Sequence, residues 1–331
     1  MRRFFFAMAV AGALALVCGP AVALEPLSLV LNWTPGADHS PIYYALDHGW
    51  YAEAGIELSV KSGKGSAMAA QQVGAGASQI GISEVGTAFV ARSKGADLVA
   101  VMAIYANTPF VFYWKESSGI KGPKDFPGHT IGNPPGDAAR VMWPAFAQTI
   151  GIPVNSVTFV NLSPAGKMPA FAAGTVDIIS DFYNGHDLKV QTFGKDLGYI
   201  RWSQIGLNPY GNAFVVNADY MKAHRGTIAR FVAVTQRAYA ACVKDVAPCI
   251  DALLNHASGL KRAQMVEQWN RVKELMADKT TTTIALGYFD PARMQQTYDL
   301  VKTYFKLPTT FDPSAAYVND FLSKEIKMEP Q

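Results

Sequence analysis

The chain has 331 residues, of which 50% are hydrophobic and 17% charged, a balance that excludes a disordered protein and predicts a packed one. At about 100–200 residues per domain, two domains are expected. A formal net charge of only +3 excludes partners that need a strongly basic surface, nucleic acid and anionic membrane among them.

Arg2 and Arg3 precede a charge-free, largely apolar run from Phe4 to Cys18, followed by Pro20 and the small-x-small site Ala21-Val22-Ala23. This is the pattern of a secretory signal peptide, and residues 1–23 are read as one. A membrane anchor is the alternative, but the run falls short of the ~20 apolar residues a span needs. Cys18 follows Val17 and not a small residue, which favours soluble export over a lipid anchor. After removal of Arg2 and Arg3 the chain is almost neutral, and its basic residues never run longer than Lys261-Arg262.

From there strands and helices alternate. Leu27 to Leu31 reads as a buried strand, Pro41 to Ala54 as a helix, and "GIELSV" (55–60) as a second strand. Ser66 to Val73 reads as a helix, "QIGIS" (79–83) as a strand, Val85 to Lys94 as a helix and "LVAVMAIY" (98–105) as a strand. "PFVFYWKESSGI" (109–120) is a long aromatic extended segment leading out of this unit. A second alternating unit follows, with a strand at "HTIGNP", a helix over 137–150, a strand at "VTFVNLS", a helix at "AGKMPAFAAG" and a strand at "VDIISDF". "GNAFVVNADYM" (211–221) is a second extended segment, and from about Ala223 onward the pattern is helical. The expectation is α/β: two doubly wound lobes joined by two crossing strands. Lobe 1 is then discontinuous, residues 24–112 and 212–331, and lobe 2 is 113–211.

Cys242 and Cys249 sit seven residues apart. On one continuous helix that is about 10.5 Å, too far for a bridge. Pro248 predicts a break between them, which makes a disulfide possible in an exported chain. Two buried free thiols are the alternative. The spacing is not a metal motif.

Parallel strands place ligands beyond their carboxyl ends. Four such ends carry aromatic and polar residues: Asn32-Trp33-Thr34, Ser83-Glu84, Gly136-Asp137-Ala138 and Asp181-Phe182-Tyr183-Asn184. That mixture suits a small-molecule cleft between lobes.

"LNWTPGADHSPIYYALDHGWYAEAGIEL", "QQVGAGASQIGIS", "SSGIKGPKDFPGHTIG", "GIPVNSVTFVNLSPAGKMPAFAAGTVDII" and "NAFVVNADYMKAH" occur in order along the chain to about His224. On these segments the chain resembles the extracytoplasmic substrate-binding proteins of ABC transporters. The relevant group takes in thiamine-pyrimidine, riboflavin and sulfonate, nitrate or taurine binders, and pyrimidine synthase-like proteins. The opening Asn-Trp-x-Pro-x-x-x-His is most similar to the thiamine-pyrimidine branch. The resemblance implies a type II periplasmic-binding-protein-like fold, a monomer in the periplasm, and an ABC permease as partner. It also implies a flat nitrogen heterocycle as ligand, with a small sulfonate or carboxylate as the alternative. The same branch contains a synthase that consumes its own pyridoxal phosphate. That enzyme carries a Lys after the third strand, a His four residues on, and a cysteine-rich iron motif. Here Ser83, Thr87 and the cysteine-free "LNPYGNAF" stand in those places, so neither enzymatic activity nor a cofactor is expected.

Each candidate has a competing structural role. Trp33 is either an aromatic wall for the ligand or lobe packing. Asp38 and His39 can bind a polar heteroaromatic edge, or Asp38 can cap the helix that follows. Tyr43 and Tyr44 diverge by about 100°, so one faces the cleft, expected to be Tyr43. Ser83 binds ligand or caps the next helix, with Glu84 in its first turn. Gly136, Asp137 and Ala138 start a helix whose free N–H groups can take an acidic oxygen, unless Asp137 caps it. Arg140 and Trp143 lie on its first turns, and Arg140 would serve an anionic ligand. Asp181, Tyr183 and Asn184 form a cleft cluster or a solvated loop, and Tyr210 and Asn212 are weaker candidates. Neither a dinucleotide fingerprint nor a P-loop is present.

Overall fold

The computed structural model describes residues 23–329, so residues 1–22 of the expected signal peptide lie outside the described residues. The ten strands are β1 (Glu25–Val30), β2 (Ile56–Lys61), β3 (Ile80–Glu84), β4 (Leu98–Ala103), β5 (Phe110–Lys115), β6 (Thr130–Asn133), β7 (Thr158–Asn161), β8 (Ile178–Phe182), β9 (Leu197–Arg201) and β10 (Asn212–Asn217). They form two five-stranded sheets, ordered β2-β1-β3-β10-β4 and β7-β6-β8-β5-β9.

Each sheet is mixed. β1, β2 and β3 are parallel, and β10 is inserted antiparallel between β3 and β4. In the other sheet β6, β7 and β8 are parallel, while β5 runs antiparallel between β8 and β9. The two aromatic-rich extended segments of the sequence therefore become interior strands. Phe110 to Trp114 and Asn212 to Val216 are buried throughout, which is why both read as continuous apolar runs. The chain crosses between sheets over residues 104–109 and returns over 202–211. At the crossing a Cβ on Gly211 would lie 2.7 Å from Tyr105 Cβ and 2.9 Å from the Asn107 carbonyl oxygen, so only glycine lets the segments touch.

Helices cover both sheets. Phe110, Phe112, Phe146 and Trp202 pack ring against ring in the second sheet's core, with centroids as close as 4.7 Å. Burial of each such side chain contributes about 1.5–3 kcal/mol. Three elements differ from the sequence expectation. The helix expected over 41–54 is two, Ser40–Asp47 and Trp50–Glu53, because Gly49 is left-handed (φ 69°). The helix over 137–150 is also two, Ala138–Val141 and Trp143–Ile150, because Pro144 withholds a backbone N–H at the junction. The segment 211–221 leaves the sheet at Asn217, whose side chain caps a helix over Ala218–Ala223.

The C-terminal part supplies four longer helices, Arg225–Lys244, Ala247–His256, Arg262–Met276 and Pro291–Tyr304. Cys242 ends the first and Cys249 starts the second. The two are bridged, with Cα atoms 5.9 Å apart. No helix among the described residues is long and apolar enough to cross a membrane.

Candidate functional site

The segments leaving β1, β6 and β8 enclose a cavity of about 250 Å³ between the two sheets. Its first wall is the irregular chain from Asn32 to His39. Here Thr34-Pro35-Gly36 breaks the strand, and the next helix starts only at Ser40. Gly36 N–H donates to His39 Nδ1 (3.1 Å), which leaves Nε2 to donate to Asn32 Oδ1 (3.0 Å). His39 is 1% exposed, and burial lowers its pKa, against the pull of Asp38, so the ring is neutral. Asp38 does not cap the helix. Its backbone carbonyl accepts from the Tyr239 hydroxyl, and its carboxylate lines the cavity.

The opposite wall comes from the second sheet. Asp137 follows β6 and caps Ala138–Val141, accepting from Arg140 N–H (3.2 Å) and the Ser180 hydroxyl (3.0 Å). Asp181 lies at the end of β8. Lys189 Nζ meets it at 2.6 Å and Lys167 Nζ at 3.4 Å, with Lys167 4.0 Å from Asp137. Burial alone would raise the Asp181 carboxyl, but Lys167 and Lys189 hold it well below the ordinary range. Lys167 also sits 4.6 Å over the Trp33 ring, a cation–π contact from one wall to the other. Phe182, Met168, Leu188, Leu260 and Met265 supply the apolar lining. Among the described residues no group of three His, Cys, Asp or Glu is arranged to hold a metal ion.

The structure thus brings Trp33, Asp38, His39, Asp137, Ala138, Asp181 and Asn184 to one cavity and places the other candidates elsewhere. Tyr43 is buried against His256, and Tyr44 packs edge-on to Trp50. Ser83 donates to the carbonyls of Ser66 and Glu84, while the Glu84 side chain is the helix cap, accepting from Gly86, Thr87 and the Thr87 hydroxyl. The two positions where the synthase carries Lys and His are therefore both committed within the first lobe. The Gly136 carbonyl accepts from Ala67 N–H of the other lobe. Arg140 donates to Asn161 and lies over Phe159, outside the cavity. Trp143 donates to the Val154 carbonyl. Tyr183 lies between the guanidinium groups of Arg201 and Arg271, at 3.8 and 5.2 Å. The Tyr210 hydroxyl accepts from Asp290 N–H, and Asn212 is fully buried in β10.

Sequence reasoning missed Lys167 and Lys189. The available signal was a lone lysine in "AGKMPAFAA", otherwise apolar and small, but the default reading of lysine is a solvated head. It also missed Met265 and Gln268, which come from the C-terminal helices.

The family model described as NMT1/THI5 like matches residues 36–246, well over half of the chain. The chain belongs to the NMT1/THI5-like family. Within that span lie Asp38, His39, Asp137, Lys167, Asp181 and Lys189. This NMT1/THI5-like chain is 22% identical over 238 residues to the formylaminopyrimidine-binding protein of Halalkalibacterium halodurans, covering 71% of each chain. A solved structure from Bordetella bronchiseptica RB50 superposes with a TM-score of 0.75 at 17% identity, over 89% of this chain and 95% of that one. The alkanesulfonate-binding protein SsuA of Xanthomonas axonopodis pv. citri, bound to MOPS, gives 0.66 at 18% identity, over 90% and 99%. These likenesses establish a periplasmic-binding-protein fold of two α/β lobes.

Proposed function

We propose that the protein captures a small flat nitrogen heterocycle of the thiamine-pyrimidine kind outside the cytoplasm and delivers it to an ABC permease. The observation that carries this reading is the cavity itself. One wall presents the Trp33 ring and the polar side chains of Asn32 and Asp38, which suit the edge of a heteroaromatic ring, and the other wall closes over it. The formylaminopyrimidine-binding relative supports the same class. Binding, not catalysis, is the proposed role, because the charged groups of the second wall are paired with one another and His39 has no nucleophile beside it. A small sulfonate or carboxylate held by Arg140 is the weaker reading, since Arg140 is engaged with Asn161. The signal peptide read over residues 1–23 supports a protein working in the periplasm.

Titration calorimetry with a hydroxymethyl aminopyrimidine and with an aliphatic sulfonate tests it. The pyrimidine should bind, and Trp33→Ala should cost ~1–3 kcal/mol of affinity, as truncated aromatic anchors do. Trp33→Phe should recover much of that loss, because stacking needs a ring and not the indole N–H. Tight sulfonate binding that is indifferent to Trp33→Ala but lost in Arg140→Ala would sink the heterocycle reading.

A further inference from the structure

Asp38, Asp137, Asp181, Lys167 and Lys189 bring charge to the cavity. Four of them are accounted for within the second lobe, where Lys189 meets Asp181 at 2.6 Å and Lys167 reaches both Asp181 (3.4 Å) and Asp137 (4.0 Å). Asp38 is the remaining one. Its side chain is 7% exposed, and among the described residues no lysine or arginine lies within 4.0 Å of it. Its ionisable neighbour at that range is His39, with Nδ1 at 3.5 Å. That nitrogen already accepts the Gly36 N–H with its lone pair, so it has no proton to offer the carboxylate. Beside it stands the Tyr105 phenol, whose pKa is raised by burial, then by the Asp38 charge and by a hydrogen bond to Asp38, a polar partner that brings no counter-charge. A carboxylate held this deep without a counter-ion is unfavourable unless something else neutralises it.

We infer that the ligand carries a protonated amine and that Asp38 is the residue that selects it, as the counter-charge on the cavity wall. This rests on the heteroaromatic reading above and adds the ligand's charge to it. Lys167 and Lys189 are both turned to Asp137 and Asp181, so Asp38 has no ammonium or guanidinium partner of its own among the described residues, and a cationic ligand supplies one. The Trp33 ring, already a cation–π partner of Lys167, is a wall that tolerates positive charge. An anionic ligand would meet Asp38 as a like charge in a site of low dielectric, so the same residue acts against sulfonates.

The test is calorimetry at pH 7 with two probes: an aminopyrimidine bearing a primary aminomethyl group, which is cationic, and its N-formyl derivative, which keeps the ring and loses the charge. The wild-type protein should bind the cation about 30-fold more tightly, the low end for a buried charge pair. Asp38→Asn keeps the side chain's shape and an acceptor oxygen. It should bring the two affinities to within about threefold by weakening the cation alone. The inference is overturned if the wild type binds the neutral probe equally well or better, a comparison that needs no variant to fold. It is also overturned if Asp38→Asn leaves the ratio unchanged. Failure of the wild type to bind either probe overturns the heteroaromatic reading itself, and this inference with it.

Discussion

Glu84 is a fully buried carboxylate with no ion-pair partner among the described residues, held by Gly86 N–H, Thr87 N–H and the Thr87 hydroxyl. Burial pushes its pKa up to about 7, against those three hydrogen bonds. The folded state therefore holds a proton on Glu84 that the unfolded chain releases near pH 4.5. The stability this group contributes is present below that pH and is lost as pH rises through about 7. Urea unfolding at pH 5 and pH 8 should show Glu84→Gln gaining on wild type by ~1–3 kcal/mol at the higher pH, and a constant difference would refute this. His39, whose pKa is lowered, contributes with the opposite sign but cancels in that difference. Glu84 was legible only as a first-turn acid, since a sequence displays type and spacing but not depth. Trp33, Asp38 and His39 were legible as site candidates because a strand end, turn formers and polar residues follow one another there. Lys167 and Lys189 were not, because their partners Asp137 and Asp181 come from other elements, brought near only by tertiary packing.

The helix Arg262–Met276 shows the same limit at the next scale. Its sequence reads as one more amphipathic helix, and it lies beyond the segments that carry the family likeness. In the structure it buries Trp269, Val272 and Leu275 in the first lobe's core and turns Met265 and Gln268 to the cavity. Its outer face grips the second lobe. Arg271 forms a two-pronged pair with Asp187 (2.8 and 2.9 Å) and reaches Glu274 (3.2 Å), which in turn holds Arg201 (2.9 Å). Tyr183, expected in the cleft, is instead the aromatic plate between the two arginines. This chain of charges is partly exposed, so each pair contributes only ~0.5–1 kcal/mol and is screened by salt. Arg271→Ala should accordingly speed ligand release about two- to fivefold in stopped-flow fluorescence, an effect that shrinks at high ionic strength. An unchanged release rate at low salt would deny the helix this role.

At the scale of the whole molecule the alternation of strands and helices made two lobes legible, while the reach of β5 and β10 into the sheet interiors and the strand β9 at the second sheet's edge were unforeseen. The lobes touch backbone to backbone where a Cβ on Gly65 (φ 127°) would lie 2.2 Å from the Gly136 carbonyl oxygen. Ala67 N–H donates to that same oxygen (3.2 Å). Closure by hinge motion about the crossing segments is expected to depend on this contact. Small-angle scattering should show ligand compacting the wild type but not Gly65→Ala, and equal compaction of both would remove Gly65 from closure. The strand order has a further consequence, for synthesis. β4 pairs on one side with β10, and on the other edge Ala100 bridges to Tyr317 and accepts from Val318 N–H. Both flanks of a strand made within the first third of the chain thus wait for residues that come after 211. The second sheet, by contrast, is encoded without interruption between residues 110 and 201. A chain emerging from its N-terminus can therefore complete the inserted lobe while the lobe that surrounds it in sequence stays unfinished until after the helix Pro291–Tyr304. Such a delay would suit the export proposed above, because a chain with one lobe unfinished stays longer in a form that can be threaded across a membrane.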